Sequence, residues 1–355
     1  MSNARRFAAV NTKIRVLKSR LLDTEDYLNL IKSNNLDTQI NYLRNHTQYK
    51  DELKHNDLST DIQYIEIELK RFLVTKFKTI IKYFNDNYAR LFKVLLLRFE
   101  VEDLKQILRA VVRKNKLKDN ILYFKDDHLF FNSNKLINSS NVREFIDNLK
   151  GTIFYETLKQ YKEDYNGDSK EDSKAIFYIE MNLDRIYYNQ LFNESEKLNK
   201  EDKLLFREIL GENIDLLNIE WIYRGLKFYD LLPGELFNYT LRYGKKFDYK
   251  ELKSMCYSSV EDLKKYIKST KYGFLFDESK DIDLYMEIKI QRYMLNKFYD
   301  AFRKAKFDIL ISIAYLHLLE YEIKDIISIL EARNYGVSPL ETADYLIKEI
   351  KGSDM

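Results

Sequence analysis

From Ile62 onward, apolar residues recur at helical spacing: Ile62, Ile65, Leu69, Phe72 and Leu73 fall on one face. Three capping-type residues, Ser59-Thr60-Asp61, precede them, so the pattern predicts a helix starting here. Neither Gly nor Pro interrupts the chain before residue 151, and the reading is a helix of more than six turns. Upstream, the pattern predicts a first helix over Asn11 to Leu22 and a second from Thr24, capped by Asp23. Residues Asp119 to Asn141 mix Asn, Asp and Ser with short aromatic runs and read as a loop. The centre of that loop, Ile121 to Phe131, is either a hairpin or a packed segment. Lys162 to Lys174 reads as an exposed polar linker, and Pro233-Gly234 as a break.

The same pattern recurs at long range. Three helix starts, at Thr24-Glu25-Asp26-Tyr27-Leu28, Val142-Arg143-Glu144-Phe145-Ile146 and Val260-Glu261-Asp262-Leu263-Lys264, are spaced 118 and 118 residues apart. A second motif, Tyr-apolar-Glu-x-x-apolar-x-Arg, places Glu66 with Arg71, Glu180 with Arg185 and Glu287 with Arg292. A third motif starts at Asp103, Asn218 and Asp325 and ends in a charge and a small residue: Arg109-Ala110, Arg224-Gly225 and Glu331-Ala332. From motif Glu to Asp or Asn is 37, 38 and 38 residues. Order, type and spacing together predict three related helical units, 1–118, 119–235 and 236–355, which bury their apolar faces mutually or close around a central space.

Each motif Glu precedes an apolar position by three and so lies near the buried stripe, where a carboxylate needs a partner. The Arg five residues on is about 140° round the helix and cannot serve. The expectation is that Glu66 and Glu180 reach Arg109 and Arg224 of their own units, and that Glu287 uses Arg333 because Glu331 breaks the pattern. The alternative is that these are ordinary solvated charges. Arg109, Arg224 and Glu331 are the candidates for a shared partner-facing surface.

Composition sharpens the fold class. Nine glycines and two prolines among 355 residues are far below the roughly 12% that the two make up in an average protein. A chain so poor in turn formers favours long helices, and the fold class is all-α. A formal net charge of +3 argues against a dedicated nucleic-acid binder. The single cysteine, Cys256, reads as a buried or semi-buried thiol in a reducing compartment. The longest apolar run, Ile309 to Leu319, is too short to span a bilayer, and Met1 to Val10 has no secretory core, so a soluble protein is expected.

No motif carries chemistry. Tyr243-Gly244-Lys245-Lys246 lacks the first Gly and the Ser/Thr of a phosphate-binding loop. Asp164-x-Asn166-x-Asp168 lacks the Gly and terminal Glu of a calcium loop. His46 and His55 are nine apart, and Asp126-Asp127-His128 reads as a solvated turn. No catalytic, metal or cofactor site is expected.

Taken with its flanks, the repeat resembles the C-subunit family of the prokaryotic V-type (A-type) rotary ATPases, whose eukaryotic equivalent is the d subunit. The likeness is carried by Asn11-Thr12-Lys13-Ile14-Arg15-Val16-Leu17-Lys18-Ser19-Arg20-Leu21-Leu22, by Phe99-Glu100-Val101-Glu102-Asp103-Leu104-Lys105-Gln106-Ile107-Leu108-Arg109, by Leu231-Leu232-Pro233-Gly234 and by Tyr321-Glu322-Ile323-Lys324-Asp325-Ile326-Ile327 with Tyr335-Gly336-Val337. Asp103 and Asp325 stand where Asn is commoner in that family, and Ala110 where Gly is usual. The resemblance implies three pseudo-symmetric helical-bundle domains arranged as a funnel around a central cavity. It implies a non-catalytic rotor part, cytoplasmic and peripheral on the membrane, between the rotor-shaft subunits and the membrane proteolipid ring, with no membrane span of its own. The competing readings are an unrelated helical-repeat scaffold for protein interactions and an enzyme whose site is assembled from scattered carboxylates. The scaffold predicts many repeats of about 34 to 47 residues, and the enzyme a deep pocket of perturbed acids.

Overall fold

The computed structural model describes residues 3–53, 62–115, 122–124, 127–162, 169–229, 231–304 and 306–350. Among these there are sixteen α-helices and no strand. In chain order they are α1 (Asn3–Lys18), α2 (Thr24–Lys32), α3 (Leu36–His46), α4 (Ile62–Ile81), α5 (Asp86–Val112), α6 (Ser133–Ile137), α7 (Val142–Asp147), α8 (Tyr155–Leu158), α9 (Ser169–Ser195), α10 (Lys200–Phe228), α11 (Pro233–Tyr239), α12 (Tyr249–Cys256), α13 (Val260–Lys268), α14 (Ile282–Lys304), α15 (Leu310–Asn334) and α16 (Pro339–Asp344). The chain forms two compact units: Met1–Leu73 with Asn199–Met355, and Val74–Leu198.

Helix starts without glycine or proline are made by side-chain caps. Asp23, Asn141 and Ser259 accept the backbone N–H of Asp26, Glu144 and Asp262, and so open α2, α7 and α13 at the three repeat starts. The faces that follow are equivalent: Tyr27, Phe145 and Leu263 are buried, as are Ile31, Leu149 and Ile267. Asp248 opens α12 with a full capping box to Glu251.

In the first unit α10, α14 and α15 are the long members, and α1, α3 and α16 pack on α15. Helix α15 is buried nearly all round, from Leu310 to Leu330, as a central helix must be. That accounts for the apolar run that begins at Ile309. No described helix is long and apolar enough to cross a membrane. In the second unit α5 and α9, 27 residues each, form the main pair. Their seam is polar as well as apolar: buried Lys105 donates to Asp184 at 2.6 Å and to Glu102 at 3.0 Å. Burial pushes the Asp184 carboxyl up to about 6, against the pull of Lys105.

Three local expectations change, and one open alternative is decided. The first helix starts eight residues early, at Asn3, and stops at Lys18. The stretch after residue 61 is two helices, α4 and α5, parted at Asn85-Asp86, where Asp86 adopts a left-handed φ of 58°. Asn and Asp tolerate that region, so this trio of Asn85-Asp86-Asn87 breaks the helix without Gly or Pro. The second half of the predicted linker belongs to α9, and its residues 163–168 lie outside the described residues, as do Ser59-Thr60-Asp61 and His55. The described part of Ile121 to Phe131 contains no strand and is a packed loop.

Candidate functional site

Each long repeat helix carries two buried polar residues three positions apart: Glu100 and Asp103 on α5, Asp215 and Asn218 on α10, Glu322 and Asp325 on α15. None is more than 5% exposed. Positions i and i+3 share a helix face, so each pair presents four oxygens or an oxygen–amide set to one side. All three pairs are used alike, to satisfy the backbone of an irregular segment that would otherwise be buried unbonded.

On α5, Asp103 accepts the N–H of Tyr123 (2.8 Å) and Phe124 (3.0 Å), and Glu100 those of Leu129 (2.8 Å) and Phe130 (3.0 Å). On α10, Asn218 accepts from Leu241 N–H at 2.7 Å and donates to Leu241 carbonyl at 2.8 Å. Asp215 accepts from Lys246 (2.8 Å) and from the Tyr272 hydroxyl (2.8 Å). On α15, Asp325 accepts from Ile347 (2.6 Å), Lys348 (3.0 Å) and the Tyr27 hydroxyl (3.1 Å). Glu322 accepts from Leu22 N–H (2.5 Å), the Tyr49 hydroxyl (2.6 Å) and Gln48 (3.2 Å). Burial raises the carboxyls of Glu322 to about 7 and Asp325 to about 6, with the hydrogen bonds pulling the other way.

A second triplet answers the first. Thr47, Thr152 and Thr270 each donate to a carbonyl three or four residues back, of Leu43, Leu149 and Ile267, and accept from the N–H of an aromatic two residues on. Those aromatics, Tyr49, Phe154 and Tyr272, are fully buried. Tyr272 follows Asp215 in the chain and belongs to the next repeat. Phe154 packs on Phe131, beside the loop that Glu100 holds, and Tyr49 of the first repeat serves Glu322 of the third. Each long helix therefore receives the opening elements of the following repeat, and the last receives those of the first.

Of the motif charges, one pair follows the same scheme. Arg109 bridges Glu180 with both oxygens, at 2.6 and 2.8 Å. The partner is thus the motif Glu of the next repeat, and the expected pairing of Glu66 with Arg109 and of Glu180 with Arg224 is corrected. Glu66 pairs with Lys70 one turn on. Arg224 pairs with Glu220 at 3.1 Å. Burial pushes Glu220 up to about 7, with Arg224 lowering it and Glu287 raising it, which puts Glu287 within reach of this group. Glu287 accepts from Gln291 at 3.0 Å, and Arg333 donates to the Ile31 carbonyl at 3.0 Å instead of to Glu287. Glu331 faces Glu66: burial raises its carboxyl, and the Glu66 charge raises it further. Of the second-motif arginines, Arg71 pairs with Glu68 (2.9 Å) and Arg292 donates to the carbonyls of Asp344 (3.0 Å) and Leu346 (2.8 Å); Arg185 sits half-buried on α9.

Other predictions also find their places. The His128 side chain is buried, not solvated, with Nε2 3.0 Å from Asp103 Oδ2 and its ring beside Phe124 and Phe131. Asp126 lies outside the described residues. The failed phosphate loop is the turn that feeds Asp215, with Tyr243 at a φ of 76°. A Cβ at Gly244 would overlap Asp215 Oδ1. Cys256 is buried, and burial pushes its thiol up to about 12. Among the described residues no group of three His, Cys, Asp or Glu could hold a metal.

Sequence reading missed Glu212. Its carboxylate collects Lys245 (2.8 Å), Lys271 (2.9 Å), Lys297 (3.0 Å) and the Tyr293 hydroxyl (2.9 Å), tying α10 to the following turns and to α14. Burial works against its charge, but the four donors hold its carboxyl down at about 2. No spacing rule flags residues 33, 59 and 85 positions apart.

The class these features define is an all-helical protein whose long helices each hold an irregular segment through buried polar side chains. The chain belongs to the ATP synthase (C/AC39) subunit family, which matches it over residues 10–345; this is the family that the sequence motifs resemble. It is similar to the A-type ATP synthase C subunit of Methanosphaera stadtmanae, 24% identical over 329 residues, covering 89% of this chain and 81% of that protein. The A-type ATP synthase C subunit of Methanocaldococcus jannaschii is 24% identical over 352 residues, 96% of this chain and 86% of the relative. That of Archaeoglobus fulgidus is 23% identical over 344 residues, 94% of each.

Proposed function

We propose that this chain is a non-catalytic central-stalk part of a V-type (A-type) rotary ATPase, coupling the rotor shaft to the membrane proteolipid ring. In this reading the segments 1–118, 119–235 and 236–355 stand as three pseudo-symmetric domains about a central cavity. One end of the funnel sits on the ring, peripheral to the membrane on its cytoplasmic side, and the other receives the shaft. The observation that carries the reading is the threefold use of buried carboxylates at equivalent positions on α5, α10 and α15, Glu100, Asp215 and Glu322. A torque-bearing spacer needs stiffness and fitted faces, and close-packed helices locked by satisfied polar groups resist deformation. The perturbed acids of these helices are engaged with backbone and tyrosine donors, which favours a bracing role over the enzyme reading. Arg109, Arg224 and Glu331 are the proposed residues of the shared face, and the transported ion is a proton or sodium. Co-expression with the shaft subunits of the same complex, followed by native mass spectrometry, tests the assignment: a stoichiometric complex is expected, and its absence would reject the coupler.

A further inference from the structure

The three places where one repeat receives the next are not equal. Where α5 meets the second repeat, the α5 carboxylates hold residues 20 to 30 positions downstream, and Arg109 bridges Glu180 bidentately. Where α10 meets the third, the held backbone groups are 23 to 32 positions downstream and the Tyr272 hydroxyl 57, and Arg224 pairs with Glu220. Where α15 meets the first, Leu22 and Tyr49 are 300 and 273 residues from Glu322 along the chain. The position of Arg109 and Arg224 is here Glu331, set against Glu66.

We infer that the seam between the third and first repeats is a latch that parts before the other two. Two physical differences drive this. A pin that closes a short loop re-forms readily, because its partner stays close at high effective concentration; a pin between residues hundreds of positions apart loses that advantage. The second difference is charge: the position of Arg109, which bridges Glu180, is Glu331 in the third copy, so the arginine is replaced by a carboxylate that feels the like charge of Glu66.

The elements that come away are α1 to α3. They are attached to α15 and its C-terminal extension by the Glu322 and Asp325 bonds, by Lys348 Nζ on the Leu22 carbonyl (3.1 Å) and by Arg333 on the Ile31 carbonyl. On the coupler reading, on which this consequence alone rests, such a seam would let a shaft be enclosed from the side.

Hydrogen-exchange mass spectrometry on the full chain, with no partner present, reads the latch directly. The amide of Leu22 is expected to show lower protection than those of Leu241 and Lys246, which are bonded to side chains at equivalent places on α10. Glu331→Arg, on an exposed residue, gives this seam the arginine that the other two carry and should slow exchange at Leu22 by about fivefold, leaving Leu241 and Lys246 unchanged. The inference is overturned if the Leu22 amide outlasts the α10-held ones, or if Glu331→Arg leaves it as it was. Because no shaft subunit enters the measurement, this result is separate from success or failure of the complex.

Discussion

Asn218 shows why one repeat keeps an amide where the others carry an acid. Its side chain both accepts from and donates to the backbone of Leu241, which a carboxylate cannot do. Asp103 and Asp325 meet two backbone N–H groups each and have no carbonyl to satisfy. The acids at those two positions thus have a local cause. Asn218→Ala strands two buried backbone groups and should cost about 3 kcal/mol, read as a lowered urea midpoint; Asn218→Asp should fall between that variant and the parent.

Two glutamates give opposite pH signatures. Glu212 is held at about 2 in the folded protein against an ordinary 4.5, so its stabilisation is complete above 4.5 and is lost as pH falls toward 2. The melting-temperature gap between the parent and Glu212→Gln should therefore narrow over that acid range; a constant gap would contradict the lysine cluster. Glu322 is raised to about 7, so its contribution is full below 4.5 and disappears as pH rises through 7. Glu322→Gln should flatten the melting-temperature profile between pH 4.5 and 7.

What could be read at this scale was position, not partnership. The pattern singled out Arg109 and Glu180 as charges near a buried face, yet assigned them to different pairs. Periodicity gives the angle of a side chain about its own helix. It carries no information about which other helix arrives there.

For the elements, chemistry at the ends was more legible than chemistry in the middle. The starts at Thr24, Val142 and Val260 coincide with observed helix starts because a capping residue acts on backbone two or three positions away, entirely within the local sequence. Removing one such cap, by Asp23→Ala, should cost about 1 kcal/mol in a denaturant titration and raise amide exchange in the first turn of α2. The division between α4 and α5 was missed because no Gly or Pro marks it. The signal was the run Asn85-Asp86-Asn87, with Asp86 taking a backbone conformation that most residues avoid. Residues Ser169 to Lys174, polar and charged, were read as linker; their place in α9 follows from the apolar residues downstream that anchor the helix on α5.

For the whole molecule, the recurrence of motifs was visible and the way they pack was not. Similar residues could be matched across spacings of 107 to 118 residues, but a sequence repeat has no inherent packing boundary. The opening elements of each copy pack on the long helix of the copy before it. This is why the chain's first and last stretches fall in one compact unit, Met1–Leu73 with Asn199–Met355. A chain ending before Leu310 should therefore lose amide protection in α1 to α3, far from the cut in sequence, while α5 and α9 keep theirs. Retained protection in α2 would show that the first repeat stands without α15.

That arrangement has a cost in time. Helices α1 to α3 are made about 300 residues ahead of Glu322, Asp325 and Lys348, which receive them. Until those residues emerge, α2 has only α3 to cover Tyr27, Leu30 and Ile31, so a nascent chain must shield that apolar face through most of its synthesis.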